Sequence, residues 1–474
     1  MKILFRFIVS SSLFVISSLV HADRPNIIVV LCDDLGYGDL ACYGHPHIKT
    51  PHLDKMAEDG IRFTNFYSAA PVCSPSRVGL LTGRSPNRAG VYDWIPVADP
   101  KSPHRRGEVH MRESEITIPM LLKEAGYATA MAGKWHCNSK FNVEEQPQPG
   151  ESGFDHWLAT HNNASPSHAN PDNFVRNGEP LGEIKGYSCQ IVVEEGIDWI
   201  EAHRSEKASQ PFFLYLAFHE PHEPVASPSK MVEGYKDVTY SKKEAEYFAN
   251  VENIDTAVGK LLGYLKTSNV DEDTLVIFTS DNGPETLNRY VNASRSWGRS
   301  DPLRGMKLWT TEAGFRVAGI MRWPGRIEGG EVSSLTVSSL DFLPTFCDLA
   351  EADIPKDLTL DGGNFLAALK GEEIDREKPL VWAYYNALKG YQVAMLDGDW
   401  KVLAQLDLQK IHNVSEENIE EIRAASVVDV EIYNLKFDIG EARDLSEDDD
   451  ELKERLVKKL EANYQALLDG SYVW

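Results

Sequence analysis

A chain of 474 residues that is 42% hydrophobic and 25% charged, with no low-complexity tract, reads as a globular protein too long for one compact core. Its formal net charge of -24 excludes the clustered basic face that nucleic acids require, and it obliges any anionic substrate to be captured by a local cationic pocket. Six cysteines (Cys32, Cys42, Cys73, Cys137, Cys189, Cys347) show no paired spacing, so this is not a disulfide framework.

Met1 to Ala22 carries Lys2 and Arg6, then the apolar run Ile8 to Val20 diluted by serines, and ends in Val20-His21-Ala22, the small-residue spacing of a signal-peptidase site. The run is too short for a spanning helix, and no later stretch is long enough to cross a bilayer. The expectation is a signal peptide over 1–22 and an exported mature chain, periplasmic or secreted, without stable membrane insertion. No cysteine stands at a lipidation position near the cleavage site.

Asn26 to Cys32 is a continuous β-branched apolar run, expected as a strand buried on both faces of a parallel sheet, and it ends at Asp33-Asp34-Leu35-Gly36. Open α/β sheets hold their ligands at such carboxyl ends, although an Asp-Asp pair alone is also compatible with a solvated turn. Pro71-Val72-Cys73-Ser74-Pro75-Ser76-Arg77, followed by Leu81-Thr82-Gly83-Arg84, reads as a loop entering a helix, with Pro75 in the first turn. A helix start favours an anion, and Arg77 adds a bidentate donor for a tetrahedral oxyanion. For an isolated cysteine the alternative is a buried structural residue.

Ile118 to Ala125 reads as a short helix and Tyr127 to Ala132 as the next strand, ending at Gly133-Lys134-Trp135-His136. A Lys and a His two apart in an extended segment project to one side, where both can reach a small anion. Gln190 to His203 carries a helical stripe (Ile191, Val192, Ile197, Ile200), and Pro211 to Phe218 is another buried strand, followed by His219-Glu220-Pro221-His222-Glu223-Pro224. Lys243 to Leu265 reads as a long helix. Thr274 to Ser280 is the next strand, ending at Asp281-Asn282-Gly283; if it neighbours the first strand in one parallel sheet, four oxygen donors converge. Asp341 to Leu349 reads as a helix. From about Gly371 the segments Leu380 to Tyr385, Gln392 to Leu396, Lys401 to Leu406 and Glu431 to Leu435 are short and alternating, and Glu447 to Leu468 is amphipathic, which predicts a small antiparallel sheet capped by a helix.

The run Cys-x-Pro-Ser-Arg followed by Thr-Gly-Arg at 73–84 resembles the signature of the type I, formylglycine-dependent sulfatases of the alkaline phosphatase superfamily, as found in secreted bacterial polysaccharide sulfatases and arylsulfatases. Asp33-Asp34, Gly133-Lys134-Trp135-His136, Pro221-His222, Asp281-Asn282 and the loop of Lys307 follow in that family's order; Met306 stands where relatives usually carry a second glycine. The resemblance implies an α/β catalytic domain over 23–370, a large, mixed, mostly parallel sheet sandwiched by helices, with a C-terminal α+β subdomain over 371–474. It implies that Cys73 is oxidised by a maturation enzyme to 3-oxoalanine (formylglycine). It also implies a divalent cation, calcium with magnesium as the alternative, held by Asp33, Asp34, residue 73, Asp281 and Asn282; oxygen donors suit such hard ions better than zinc. The implied catalytic set is Cys73, Arg77, Lys134, His136, His222 and Lys307, with the three cations clamping sulfate oxygens, His222 donating a proton to the leaving alcohol and His136 removing one from the residue 73 hydrate.

The residues alone reach only an α/β hydrolase of an anionic substrate with a hard metal; the resemblance adds the sulfate and the aldehyde. Two rival readings remain at this level, a phosphate or phosphonate ester hydrolase of the same superfamily and a non-catalytic glycan-binding relative. The expected substrate is a sulfate ester on a carbohydrate, at or near the end of an oligosaccharide. Residues outside the shared motifs that could read the sugar are Tyr92-Asp93-Trp94, His104-Arg105-Arg106, His161-Asn162-Asn163, His219-Glu220 and Arg289, which supply aromatic faces, amides and charged donors. Each of these segments, taken singly, also fits an ordinary solvated loop.

Overall fold

A computed structural model describes residues 24–98, 106–285, 297–374 and 376–474. The expected signal segment over 1–22 lies outside them. No helix among the described residues is long and apolar enough to cross a membrane.

The strand Asn26–Asp33 is the axis of the larger sheet, paired in parallel with Phe212–Pro221 on one side and with Thr274–Ser280 on the other. Its register places Cys32 opposite Ser280 and Asp33 opposite Pro221. Ala128–Lys134 flanks Phe212–Pro221, again in parallel, with Gly133 opposite Ala217. Four parallel strands therefore end along one edge and deliver the motifs of Asp33, Lys134, His222 and Asp281 to the same place.

The continuous apolar runs follow from burial on both faces. Ile27, Val29 and Leu31 pack with Val78 and Leu81 of helix Cys73–Thr82, Leu122 of Ile118–Glu124 and Phe346 of Phe342–Ala350. Ile28, Val30 and Cys32 face the other way, onto Val192 of Ser188–Lys207 and Val251 and Ile254 of Lys242–Thr267. Beyond Thr274–Ser280 the direction reverses: Arg316–Arg322 pairs antiparallel with it and with Ile61–Tyr67, so the sheet, eleven strands among the described residues, is mixed and mostly parallel. The helix Pro51–Glu58 and the strand Ile61–Tyr67 are not foreseen, because Arg62, Thr64 and Asn65 dilute the apolar pattern of the strand.

The second sheet is antiparallel and runs in chain order: Leu380–Ala383, Tyr391–Asp397, Trp400–Leu406 and Val427–Asn434. One face packs under the helix Asp450–Asp469, whose Leu456, Leu460 and Tyr464 meet Val393, Met395 and Val402. Asp449 caps that helix by accepting from Leu452 N at 3.0 Å. The other face carries Trp382, Ala394 and Leu403 onto Tyr67 of the larger sheet and Phe315 of the short helix Glu312–Phe315, with the Phe315 and Trp382 rings stacked at 4.1 Å. All six cysteines are unpaired, consistent with the absence of paired spacing.

Candidate active site

Cys73 opens the helix Cys73–Thr82 after the extended Val72, and all ten helical residues are buried. Pro75 falls within the first turn, where a missing N–H costs nothing. One turn in, the wholly buried Arg77 spans to two strand ends. Its Nε and Nη2 lie 2.9 and 2.7 Å from Asp281 Oδ2, and Nη1 donates to the carbonyl of Lys134 at 3.0 Å. Lys134, the last residue of its strand, points Nζ at Asp33 Oδ2 at 2.6 Å. Lys307 Nζ lies 2.6 and 2.8 Å from the two oxygens of Asp34 and 3.3 Å from Cys73 Sγ. Asn282 Nδ2 donates to Asp34 Oδ1 at 2.8 Å.

The backbone is bent to achieve this. Asp34, His136 and Leu308 hold left-handed φ values of 65°, 54° and 68°, a cost that functional sites commonly carry. Leu308 N donates to Pro71 O at 2.8 Å, which ties the lysine loop to the cysteine loop. Gly133 must be glycine: its φ is +111° and a Cβ there would stand 1.8 Å from Ala217 O. Gly283 is equally constrained, by Ala313 O at 1.6 Å from the built Cβ position. The strand of Lys134 ends at that residue, so His136 reaches the site through its left-handed turn, not by the alternation of an extended segment.

Burial and charge set the protonation states. Burial alone would raise Asp33, but the charges of Lys134, Arg77 and Lys307 hold it well below the usual carboxylate range. Burial, then the adjacent Asp33, pushes Asp281 up to about 7. Burial pushes the Cys73 thiol up to about 12 against the pull of Lys134 and Lys307, so an unmodified Cys73 is a protonated thiol and a poor nucleophile at neutral pH. His136 is held well below its ordinary value by burial and by Lys134. Its Nε2 lies 2.9 Å from the carbonyl of Ile95, which can only accept, so the neutral ring carries its proton there and leaves Nδ1, buried and without a partner, as a base. His222 has the opposite tautomer: Nδ1–H donates to Glu223 O at 2.7 Å, and Nε2 stands 3.8 Å from Asp34 Oδ2. Burial takes this ring down to about 3, so it is neutral at rest.

Ligand atoms of Asp33, Asp34, Cys73 and His222 lie within 4.8 Å of one another, the one such group of His, Cys, Asp and Glu among the described residues. Two further observations fit a hard cation there: Asp33 Oδ1 and Asn282 Oδ1 are buried acceptors without a hydrogen-bond partner.

A cavity of about 310 Å³ opens onto Cys73, His136, His222 and Lys307, with Trp94, Asn162, Asn163 and Glu223 in its walls. A larger cavity of about 590 Å³, beside Arg112, Glu115 and Trp157, contains none of the converging motifs. The structure thus brings together Asp33, Asp34, Cys73, Arg77, Lys134, His136, His222, Asp281, Asn282 and Lys307. The proposed sugar readers divide. Trp94, Asn162 and Asn163 line the cavity. Tyr92 is buried and donates to Tyr472 O at 2.6 Å, a packing role. His161 sits behind His136, ring to ring at 5.8 Å, with Nε2 on Asn138 O. His219 is buried against Phe174 with Nε2 2.8 Å from Thr160 Oγ1, and Glu220 is buried and accepts from Cys189 N at 2.9 Å; both fall within the strand Phe212–Pro221, buried along its whole length. His104, Arg105 and Arg289 lie outside the described residues, and Arg106 opens a short 3₁₀ turn. Asp93 is a buried junction whose partners Tyr384, Asn386 and His412 carry no motif that a single sequence could expose.

The family model described as sulfatase matches residues 25–352, and that described as N-sulphoglucosamine sulphohydrolase, C-terminal, matches 306–468. The chain is 35% identical to the N-acetylgalactosamine-6-sulfatase of Canis lupus familiaris over 375 residues, covering 76% of this chain and 68% of the relative. It is 36% identical to arylsulfatase A of Homo sapiens, also over 375 residues, 75% of this chain and 69% of the relative. Among solved structures, Ps i-CgsB in complex with k-i-k-neocarrahexaose aligns with a TM-score of 0.77 at 28% identity, over 93% of this chain and 92% of that one.

Proposed function

This chain belongs to the sulfatase family and hydrolyses sulfate esters, and from that premise we propose that the ester is carried by a carbohydrate and that residue 73 acts as a formylglycine beside a bound calcium ion. The observation that carries the reading is the convergence of Arg77, Lys134 and Lys307 with residue 73, at a helix N-terminus, on a carboxylate cluster with orphaned acceptor oxygens. Support for the carbohydrate comes from relatives named for a sulfated amino sugar and from a solved neighbour holding an oligosaccharide. The signal-like segment supports an exported enzyme acting where such glycans occur.

A hydrated aldehyde at residue 73 would supply one hydroxyl to attack sulfur and a second whose deprotonation would let sulfate leave. A cation would be held by Asp33, Asp34, Asn282, Asp281 and residue 73 and would supply Lewis acidity and charge. The chain's own residues do the rest. Lys134, Lys307 and Arg77 are preorganised donors for the charge that develops on the sulfate oxygens, in a site too dry to screen them. Asp281, held by Arg77 at 2.7 Å, can take the attacking hydroxyl's proton. His136 Nδ1, bare and buried, accepts the proton whose loss ends the cycle. His222 lines the cavity with Nε2 3.8 Å from Asp34 Oδ2, and it becomes a donor to the leaving alcohol when the anionic substrate offsets the burial cost of its charge. A panel of sulfated galactan and glycosaminoglycan fragments beside 4-nitrophenyl sulfate and 4-nitrophenyl phosphate tests the reading. Sulfate release from a saccharide is expected; hydrolysis of the aryl sulfate with none from any saccharide rejects the carbohydrate, and faster phosphate release rejects sulfate specificity.

A further inference from the structure

We infer that Trp94 and His412, coupled through the buried carboxylate of Asp93, form the subsite for the sugar ring of the leaving group; the inference rests on the carbohydrate reading above. Trp94 shares the cavity with Cys73 and His222 and keeps 40% of its surface exposed. The residue before it is 3% exposed and engaged on all sides. Asp93 Oδ1 accepts from Trp94 N at 2.8 Å and from Tyr384 Oη at 3.0 Å, while Oδ2 accepts from Asn386 Nδ2 at 3.1 Å and from His412 Nδ1 at 2.6 Å. The carboxylate does not read substrate; it fixes the backbone from which an exposed indole projects and orients an imidazole whose side chain is 34% exposed.

The second sheet supplies this wall. Asn386 follows the strand Leu380–Ala383, and His412 follows Trp400–Leu406. The same segment reaches residue 73: Tyr384 packs with Val72, Cys73 and Leu308, and Leu388 N donates to Leu308 O at 2.9 Å. Residues at the end of the chain clasp both halves of the wall. Tyr472 N donates to Asn87 O at 3.1 Å and Trp474 Nε1 to Gly90 O at 2.6 Å, on the loop leading to Trp94. Trp474 N donates to Val414 O at 3.1 Å, two residues beyond His412.

The chemistry matches a pyranose. Its C–H face takes an aromatic platform and its hydroxyl equator takes amide and imidazole groups; Trp94, Asn162 and Asn163 line the opening, and His412 is held beside Trp94 through the shared Asp93 carboxylate. A buried carboxylate with several donors is weak as a stabilising device, since apolar packing of the same volume serves as well, but it is effective at fixing orientation.

The test compares kcat/KM for 4-nitrophenyl sulfate with that for the panel saccharide the wild type cleaves fastest. In Trp94→Ala and His412→Ala the saccharide-to-aryl ratio is expected to fall roughly ten-fold or more, through KM, and Trp94→Phe should recover most of it. Wild-type enzyme that cleaves the aryl ester and no saccharide overturns the carbohydrate reading and the subsite with it. Wild-type enzyme that cleaves a saccharide, with the ratio in both alanine variants and in His412→Gln unchanged within about two-fold, overturns the subsite alone. A proportional loss on both substrates, as misfolding would give, also counts against it.

Discussion

Replacing Lys401 by Met tests what holds the second sheet against the first. Lys401 is fully buried; its Nζ lies 2.7 Å from Glu312 Oε1, 3.5 Å from Glu441 Oε1 and 4.4 Å from the centre of the Phe315 ring. Glu312 also accepts from Tyr67 Oη at 2.7 Å and Arg316 Nη1 at 3.1 Å, and its own N–H donates to Glu441 Oε2 at 2.8 Å. Removing one partner of a buried ion pair typically costs about 3–5 kcal/mol, because the other charge stays buried. Here Glu312 keeps Arg316 and Tyr67, and Glu441, pushed up to about 7 by burial, can hold a proton, so the loss should lie near ~3 kcal/mol. Burial alone would raise Glu312, but Lys401 and Arg316 bring it below its ordinary value of 4.5, so its stabilisation is present above that pH and is lost as the pH falls. Lys401→Met should therefore lower the thermal midpoint and flatten its decline on acidification. The assay is thermal unfolding of wild type, Lys401→Met, Glu312→Gln and the double variant from about pH 6 down to about pH 3, through and below the ordinary carboxylate range, read as a double-mutant cycle. A destabilisation below about 1 kcal/mol, or additive single effects, would refute the network as the clamp between the sheets.

His136→Ala and His222→Ala should each lower kcat by roughly 10²- to 10⁴-fold on saccharides, but His222→Ala should spare activated aryl esters, whereas His136→Ala should accumulate sulfated enzyme in single-turnover mass spectrometry. Equal losses on every substrate, with no trapped adduct, would reject the two assignments. Exhaustive chelation should abolish turnover, with calcium restoring it; undiminished activity after metal removal, or stoichiometric zinc, would exclude the ligand set proposed here. Peptide mass spectrometry of active enzyme should show an aldehyde at residue 73, and turnover by protein carrying only the thiol would remove the nucleophile from the mechanism.

The larger sheet was legible because its central strands are buried on both faces, so Asn26 to Cys32, Phe212 to Phe218 and Thr274 to Ser280 carry unbroken apolar runs. Much of the site was legible for a related reason: the motifs of Asp33, Lys134, His222 and Asp281 stand at the ends of such strands, and parallel neighbours must end on the same edge. Ile61–Tyr67 was not legible, since its polar residues obscure the period. His219 and Glu220 look like readers in sequence because they flank His222, yet strand burial commits them to Thr160 and to the N-terminus of Ser188–Lys207. Asp93 and His412 are 319 positions apart, and no local pattern joins them. Their meeting depends on how the second sheet docks, which is a property of tertiary packing.

Charge explains how so acidic a chain can bind an anion. Asp33, Asp34 and Asp281 face Arg77, Lys134 and Lys307, three buried acids against three buried bases, so the protein groups by themselves form a nearly neutral cluster within a chain of net charge -24. Neutral balance is what makes the burial tolerable, and it also means that the cluster alone has little reason to attract sulfate. A divalent cation held by the carboxylates would tip the balance positive at this one place, inside walls that limit screening, while the surface field stays negative. The lysines need not move far to serve it, since an ammonium has three donors and Lys134 spends one on Asp33 Oδ2. Pairing each lysine with a carboxylate thus orients the clamp before substrate arrives, and anion binding becomes conditional on the cation rather than on the charge of the protein as a whole.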